Sequence, residues 1–272
     1  MTRRIALAVL FLLVIGIRPA TAQTCSVSYT DLNYATYTGT RLNGTGSGVI
    51  TCGSAWTLGL NAGLGVGATE TIRKMTGPGG VRLNYQLFLD AARTINFGNT
   101  TGNELTGTGN TSITIYGQIP AGQFIAPGTY TDTVSSTTAS FTVTAVVQAT
   151  CTIIANPLAF GTYSGLLINA TSTLSVTCTN TTSYNIGLNA GTATGATVTD
   201  RSMTGPSSAL LGYKLFSNSG ITTNWGNTVG TNTLGGTGSG ALQPLSVRGQ
   251  IPAGQYVRPG SYTDTITATI TY

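Results

Sequence analysis

The amino-acid sequence repeats one pattern twice, and this repetition limits its possible folds more than any other feature. Cys25 and Cys52 are separated by 27 positions, and Cys151 and Cys178 have the same separation. Four longer segments also recur: residues 58–63 as 186–191, 73–78 as 201–206, 83–88 as 211–216, and 117–123 as 249–255. A repeat of ~130 residues greatly exceeds the ~20–50-residue unit of solenoid proteins. The sequence therefore predicts a tandem duplication of whole domains.

The first 22 residues have the pattern of a secretory signal peptide. Arg3 and Arg4 precede an apolar run over residues 5–17, and the small side chains of residues 20–22 suit a cleavage site. The apolar run is shorter than the ~20 residues that a membrane-spanning helix needs. We therefore expect export, with the mature chain starting near Gln23.

Without the signal peptide the chain is nearly neutral. Removal of Arg3, Arg4 and Arg18 leaves nine basic residues against seven acidic ones, a net charge of +2. The remaining basic residues are scattered and form no run or stripe of the kind that binds nucleic acid. We therefore expect no nucleic-acid partner.

The four cysteines suit disulfides in an oxidising compartment. Four cysteines allow three pairings, but Cys25–Cys52 with Cys151–Cys178 makes each domain repeat the other. A zinc site is excluded because the sequence has no histidine and no closely spaced cysteines. Each bridge is expected to stabilise its domain by roughly 3–4 kcal/mol on the chain-entropy model.

Short alternating runs separated by glycine predict β-strands. Apolar and polar side chains alternate with period two over residues 56–60, 83–87, 112–116, 174–178 and 184–188. Such runs, with turn signals every ten or so residues, are typical of antiparallel β-sandwiches. The predicted fold class is all-β, with two tandem sandwich domains over residues 23–140 and 151–272.

Ten residues between the two repeats have the pattern of a separate strand. The last residue of the chain, Tyr272, aligns with Ser140, so residues 141–150 have no counterpart in the second repeat. One face of the predicted strand carries Phe141, Val143, Ala145 and Val147. Linkers are usually rich in Gly, Ser or Pro and lack such alternation. We therefore expect a strand here, with a plain interdomain linker as the alternative.

The second repeat resembles the spore coat protein U domain family. The motifs that carry the resemblance are Cys151-Thr-Ile-Ile-Ala-Asn-Pro-Leu-Ala-Phe-Gly-Thr-Tyr163, Val176-Thr-Cys-Thr179, Gly249-Gln-Ile-Pro-Ala-Gly254 and Gly260-Ser-Tyr-Thr-Asp-Thr265. The first repeat resembles the family more loosely, because Asp31-Leu-Asn-Tyr-Ala-Thr-Tyr37 replaces the Phe-Gly-Thr-Tyr element. This family includes the subunits of archaic chaperone–usher pili in Gram-negative bacteria.

The resemblance implies both a fold and a function. Pilin-type domains of this family resemble immunoglobulin sandwiches that lack their final strand. A periplasmic chaperone fills the gap until the strand before the first cysteine of the next pilin replaces it. Only two residues of the expected mature chain precede Cys25, so we expect no donor strand there. The resemblance therefore implies a pilus tip adhesin for attachment or biofilm formation. Its expected partners are the chaperone, an outer-membrane usher and an adjacent pilin, and its location is the cell surface.

The resemblance also assigns roles to particular residues. The first domain would be the adhesive head, and residues 141–150 would complement it in cis or connect it to the second domain. The second domain would keep an open acceptor groove, with an inward face formed by Ile266, Ala268, Ile270 and Tyr272. Candidate adhesive loops are residues 63–67, the Tyr34/Tyr37 segment and residues 92–96. Leu64 and Val66 form either an exposed apolar finger or part of the core.

Two other functions compete with a tip adhesin, and we do not expect catalysis. An internal pilin or secreted coat component predicts a donor strand before Cys25, and a self-contained secreted binding module predicts a second domain that is stable alone. Without histidine, neither a Ser-His-Asp nor a Cys-His arrangement can form. Asp132 and Asp264 occupy one repeat position, as do Arg73 and Arg201, which indicates folding roles. We expect no cofactor and no metal.

Overall fold

A computed structural model describes residues 25–272, so the predicted signal peptide over residues 1–22 lies outside the described residues. The predicted all-β architecture with two tandem domains is confirmed. Within residues 25–272, no helix is both long enough and apolar enough to cross a membrane. Disulfides join Cys25 to Cys52 and Cys151 to Cys178, the pairing that the duplication predicts.

The first domain is a large curled sheet with a small second sheet. Its strands in the described chain are β1 (Ser26–Tyr29), β2 (Leu32–Tyr37), β3 (Leu42–Thr51), β4 (Ala55–Leu58), β5 (Arg73–Thr76), β6 (Arg82–Phe88), β7 (Leu105–Thr108), β8 (Thr111–Ile119), β9 (Gly128–Ser135) and β10 (Ser140–Val147). The large sheet has the order β1-β3-β8-β6-β5-β9-β10-β2, and β4 pairs with β7. Because β2 also contacts β3, the sheet wraps around a single core.

The second domain repeats most of these elements. Its strands are β11 (Cys151–Ala155), β12 (Ile168–Cys178), β13 (Ser183–Leu188), β14 (Arg201–Thr204), β15 (Leu210–Phe216), β16 (Leu234–Thr237), β17 (Leu242–Ile251) and β18 (Ala268–Thr271). One sheet has the order β11-β12-β17-β15-β14, and the facing sheet has the order β16-β13-β18. The two layers enclose a separate core around Trp225, which is completely buried.

Strand β10 lies inside the sheet of the first domain, between β9 and β2. It pairs antiparallel with β9 over all eight residues of both strands, from Ser140 opposite Ser135 to Val147 opposite Gly128. It pairs parallel with β2. The inward side chains Phe141, Val143, Ala145 and Val147 are all 3% exposed or less. Residues 148–150 then connect β10 to β11.

The second domain lacks this arrangement within residues 151–272. Residues 158–163 occupy the sequence position of β2, and residues 260–267 occupy that of β9, but neither segment forms a strand. In the described chain, residues 260–267 make one β-bridge, between Thr263 and Thr204. Backbone N–H and C=O groups need hydrogen-bond partners, and in the first domain β10 supplies them to both flanking strands.

We predict that Val143→Asp destabilises the first domain by about 3–5 kcal/mol, because it places an unpaired charge in an apolar core. Val146 lies on the outward face of the same strand and is 45% exposed, so Val146→Asp should cost under about 1 kcal/mol. Urea unfolding of residues 23–272 measures both variants. Equal losses for the two substitutions would contradict the inward role of Val143.

Candidate functional site

An open groove runs across the second domain between residues 158–163 and residues 260–266. It consists of two adjoining cavities of about 420 and 850 Å³. Both cavities are lined by Leu158, Phe160, Met203 and Tyr262. Leu174, Leu188, Tyr213 and Leu215 form the apolar floor of the smaller cavity. The groove therefore exposes part of the core of the second domain.

The groove occupies the position that β10 fills in the first domain. Leu158, Phe160 and Tyr163 are the sequence counterparts of Leu32, Tyr34 and Tyr37 on β2. In the first domain these three side chains are buried, whereas their counterparts in the second domain are only half-buried. The same difference separates Tyr130 and Val134 from their counterparts Tyr262 and Ile266.

The backbone around the groove is held in the same way as the backbone around β10. The Tyr163 hydroxyl donates to the Pro252 carbonyl oxygen at 2.8 Å and accepts from the Gln255 N–H at 3.0 Å. The Tyr37 hydroxyl makes the equivalent bonds with Pro120 at 2.7 Å and Gln123 at 3.1 Å. The groove is thus a preformed feature of the domain, because its rim is fixed without an occupying strand.

A carboxylate lies on the wall of the groove. The Tyr213 hydroxyl donates to Asp264 Oδ2 at 2.7 Å, and the Thr192 N–H donates to Asp264 Oδ1 at 2.8 Å. Partial burial raises the pKa of Asp264, but the hydrogen bonds from Tyr213, Thr192 and Thr265 outweigh it and hold the pKa below its usual value. Burial together with the bond to Asp264 raises the pKa of Tyr213. Asp264 therefore ties the groove wall to the loop that begins at Gly191.

Of the four predicted groove residues, two line the groove and two do not. Ile266 and Ala268 line the smaller cavity. Ile270 packs against the core on β18, where it pairs with Ile186 of β13 in the facing sheet. Tyr272, predicted to face inward, is instead 58% exposed, so that assignment is wrong. The chain crosses to the other sheet at β18, which removes its last residues from the groove.

The sequence interpretation missed the opposite wall of the groove. Leu158, Phe160 and Tyr163 belong to a motif that carries the family resemblance, but no binding role was expected for them. Their spacing matches that of Leu32, Tyr34 and Tyr37, and this match was the available signal. Gly249 permits the close approach of the Phe160 ring, because a Cβ there would lie 2.6 Å from Phe160 Cζ.

In the first domain, the loop of residues 63–67 carries two exposed apolar side chains. Leu64 and Val66 are 73% and 75% exposed, so the finger is exposed and does not fold into the core. The Leu64 N–H donates to Asp132 Oδ1 at 2.8 Å, and Asn61 Oδ1 accepts from the Ser135 N–H at 3.0 Å. Both anchors lie on β9, so the base of the loop is fixed to the strand that β10 covers.

A buried arginine clamps the base of the same loop. The guanidinium of Arg73 donates to the carbonyl oxygens of Leu60, Asn61, Glu70 and Phe97 at 2.6–3.2 Å. Burial lowers the pKa of Arg73. The hydrogen-bond donors of its guanidinium are nevertheless satisfied by four backbone carbonyl oxygens. Arg201 makes the equivalent four bonds in the second domain. The loop scaffold is therefore common to the two domains.

The two copies of the loop differ at their tips. Thr192 and Thr194 of the second domain replace Leu64 and Val66, and both threonines are exposed. The local turns are the same, since Gly63 has a φ of 82° and Gly191 a φ of 89°. Identical scaffolds therefore present an apolar tip in one domain and a hydroxyl-bearing tip in the other.

The other two candidate loops have different outcomes. Tyr34 and Tyr37 were expected in an adhesive segment, but they lie on β2 with their rings buried in the core, so that expectation is wrong. In residues 92–96, Ile95 is 48% exposed. Arg93 in the same segment lies over the ring of Tyr116, 5.8 Å from its centroid.

Comparison with known protein families finds one whose sequence model matches both domains. The sequence model described as the Spore Coat Protein U domain matches residues 12–137 and again residues 137–269. The chain belongs to the Spore Coat Protein U domain family. The family relative Protein U of Myxococcus xanthus is 36% identical over an alignment of 128 residues, and the match covers 42% of this chain and 71% of that protein.

One solved structure contains a chain with a similar fold over nearly the whole length of this chain. It is the CsuC–CsuE chaperone–tip adhesion subunit complex of the archaic chaperone–usher Csu pili of Acinetobacter baumannii. The TM-score is 0.56, with 18% sequence identity, over 92% of this chain and 100% of that chain. The two-domain fold of this Spore Coat Protein U domain protein is therefore similar to that of a chain in this complex.

We predict that Asp264→Asn lowers the stability of the second domain by about 1 kcal/mol near neutral pH, because charge-assisted hydrogen bonds are lost. The folded-state pKa of Asp264 is depressed, so its contribution is present above the unfolded value of about 3.9. It is lost as the pH falls through the folded-state value. Urea unfolding at about pH 7 and about pH 2 measures this difference.

The matched control is Asp200→Asn, since Asp200 is an exposed acidic residue of the same domain. This substitution should leave the free energy of unfolding nearly unchanged at both pH values. A constant difference between Asp264→Asn and the unsubstituted protein across the pH range would contradict the role given to the Asp264 charge.

Proposed function

We propose that this protein is the two-domain tip subunit of a surface pilus assembled by a chaperone–usher pathway. The first domain is the adhesive head, and the second domain accepts a donor strand from the next pilin. A periplasmic chaperone protects the groove before assembly, and an outer-membrane usher brings the subunits together. The chain is exported and functions at the cell surface in attachment or biofilm formation.

One observation carries this proposal. Strand β10 fills the first domain, and the second domain leaves the equivalent position as an open groove in residues 151–272. An exposed sheet edge beside an apolar core favours aggregation unless another strand covers it. Addition of an extended strand satisfies the backbone groups and buries the apolar floor. The structure of the first domain thus serves as a template for the occupied state of the second.

The template specifies what the occupying strand looks like. In the first domain Phe141 pairs with Val134, Val143 with Asp132, and Ala145 with Tyr130. Their counterparts along the groove are Ile266, Asp264 and Tyr262. The donor strand therefore runs antiparallel to residues 260–267 and carries apolar side chains at alternate positions. The donor residue opposite Tyr262 has a small side chain, because Ala145 occupies this position opposite Tyr130 in the first domain.

The apolar tip of the first domain supports its role as the adhesive head. Leu64 and Val66 lie on a loop that Arg73 and Asp132 hold in place, so little conformational entropy is lost on contact with a surface. Exposed apolar side chains rimmed by polar groups favour contact with hydrophobic or lipid-like surfaces. Residues 63–67 are therefore the proposed adhesive loop.

We predict that the second domain captures a synthetic peptide with the sequence of residues 137–150. The chain is expressed in a periplasm with and without a pathway chaperone, and peptide binding is followed by fluorescence anisotropy. Soluble protein that depends on the chaperone and then binds the peptide is the expected result.

The matched control peptide carries Ala145→Trp, which places a bulky side chain opposite Tyr262 and should not bind. A peptide with Val146→Thr, altered on the outward face, should bind normally. A stable monomer that ignores all three peptides would overturn the acceptor role and leave a self-contained secreted binding protein.

We predict that the double substitution Leu64→Thr and Val66→Thr weakens adsorption to alkyl-coated surfaces without lowering thermal stability. Each exposed side chain that becomes buried against such a surface contributes about 1–2 kcal/mol. Threonine reproduces the tip of the second domain on the same scaffold, so the loop conformation should be kept. Adsorption isotherms on alkyl-coated and hydroxyl-coated surfaces measure the effect.

A second double variant, Leu210→Thr with Val229→Thr, controls for general loss of apolar surface. These two side chains are 46% and 56% exposed on the second domain. Equal weakening by the two double variants would show that adsorption is unspecific and would remove the proposed role of residues 63–67.

A further inference from the structure

The junction between the two domains contains a specific main-chain contact. The Phe124 carbonyl oxygen of the first domain accepts a hydrogen bond from the Asn180 N–H of the second domain at 2.9 Å. Gly240 lies against the same carbonyl, and a Cβ at this position would lie 2.7 Å from the oxygen. Gly240 also has a φ of 77°, so this turn needs glycine on both counts.

The junction therefore joins two defined surfaces. One is the junction loop of the first domain, residues 122–127. The other is the turn that follows the second cysteine of the second domain, residues 179–182, together with Gly240. Since β10 ends at Val147 and β11 begins at Cys151, a three-residue connection holds these surfaces together.

The second domain carries its own copy of the junction loop, residues 254–259. The two loops have matching backbone supports. The Gly122 N–H donates to the Gly39 carbonyl oxygen at 2.8 Å, and the Gly254 N–H donates to the Gly165 carbonyl oxygen at 2.9 Å. The Tyr37 and Tyr163 hydroxyls support the next residue of each loop in the same way. The second copy is thus held ready in the same conformation.

The aromatic residue at the tip distinguishes the two copies. Phe124 packs its ring over Gly39, where a Cβ would lie 3.0 Å from Phe124 Cε1. Its counterpart Tyr256 is 95% exposed. Among the described residues, no heavy atom outside Gly165 and its two chain neighbours lies within 4 Å of a Cβ built on Gly165. The Tyr256 ring is therefore turned out to solvent, whereas the Phe124 ring packs over Gly39 of its own domain.

We propose that Tyr256 and the loop of residues 254–259 dock the next pilus subunit, by the contact that Phe124 makes inside this chain. This rests on the proposed function, because the neighbour is held by the strand it donates to the open groove. In such a neighbour, the donor strand leads directly into the first cysteine. This is the same order as β10 and Cys151 in this chain. The turn after its second cysteine then reaches Tyr256, as residues 179–182 reach Phe124.

The contact sets chemical requirements on the neighbour. Its turn must offer a backbone N–H to the Tyr256 carbonyl oxygen, as Asn180 does to Phe124. It must also carry glycine at the position of Gly240, because any side chain there blocks the approach of the carbonyl. The partner is therefore a second protein of the Spore Coat Protein U domain family with both features, and its docking is separate from insertion of the donor strand.

Site-specific photo-crosslinking in assembled fibres tests this proposal. The full chain carries p-benzoylphenylalanine at position 256 in the source bacterium, and crosslinked peptides are sequenced after isolation of the fibres. The expected product joins position 256 to the turn after the second cysteine of a neighbouring family subunit. The same probe at position 124 should crosslink internally, either to Gly39, over which the Phe124 ring packs, or to residues 179–182, where Asn180 bonds to the Phe124 carbonyl oxygen. At position 229, an exposed loop site of the second domain, it should give no such product.

A probe at position 265 separates failure of this proposal from failure of the proposed function. Thr265 is exposed beside the groove, and its counterpart Thr133 pairs with Thr142 of β10. Crosslinking to a donor strand at 265, with no product at 256, would overturn the docking contact and leave the groove assignment intact. No product at either position would overturn both, and a product at 256 outside the cysteine turn would overturn the docking geometry.

Discussion

The double ladder of β10 is the interaction on which the rest of this structure depends. A single eight-residue strand bonds to β9 on one side and β2 on the other, and it inserts four apolar side chains into the core. Where the strand is present, both neighbours are regular strands with buried faces. In residues 151–272, where it is absent, the equivalent segments are irregular and half-buried. A domain that contains this strand therefore differs from one without it in both flanking segments as well as in the strand itself.

Because the domain is duplicated, the features common to both copies can be distinguished from the features that differ between them. The arginine clamp occurs in both copies with nearly the same distances. The same is true of the tyrosine–aspartate bond, which joins Tyr85 to Asp132 and Tyr213 to Asp264 at 2.7 Å in each domain. The tyrosine hydroxyl bonds to the Pro120 and Pro252 carbonyl oxygens also match. These networks stabilise loops and strand ends in each domain. The two domains differ in the strand-filled or open groove, the residues at the loop tip, and the aromatic side chain at position 124 or 256. Each of these differences changes what a domain can contact.

Much of this architecture could be predicted from the sequence because duplication and alternation are local patterns. The domain pair, the cysteine pairing and the inward face of residues 141–147 all follow from spacing and period two. Tyr272 was misplaced because parity alone does not show that the chain crosses to the facing sheet at β18. Tyr34 and Tyr37 lie on β2 and not in a loop; strict alternation does not predict this, because a register irregularity in β2 turns both rings into the core although they are three positions apart. The junction could not be predicted, since its bond uses the main-chain carbonyl of Phe124.

The position of β10 also determines how the molecule carries load. The loop of residues 63–67 is anchored on β9 at Asp132 and Ser135, opposite the first half of β10. Tension from the second domain enters β10 at its other end, Val147, which three residues separate from β11. Force in this direction acts parallel to the strand and loads the hydrogen bonds of both ladders together in shear, whereas a perpendicular force would break them sequentially, as in a zipper. Beyond the connection, the Cys151–Cys178 bridge passes the tension covalently to β12. The strand that completes the first domain is thus also its mechanical anchor.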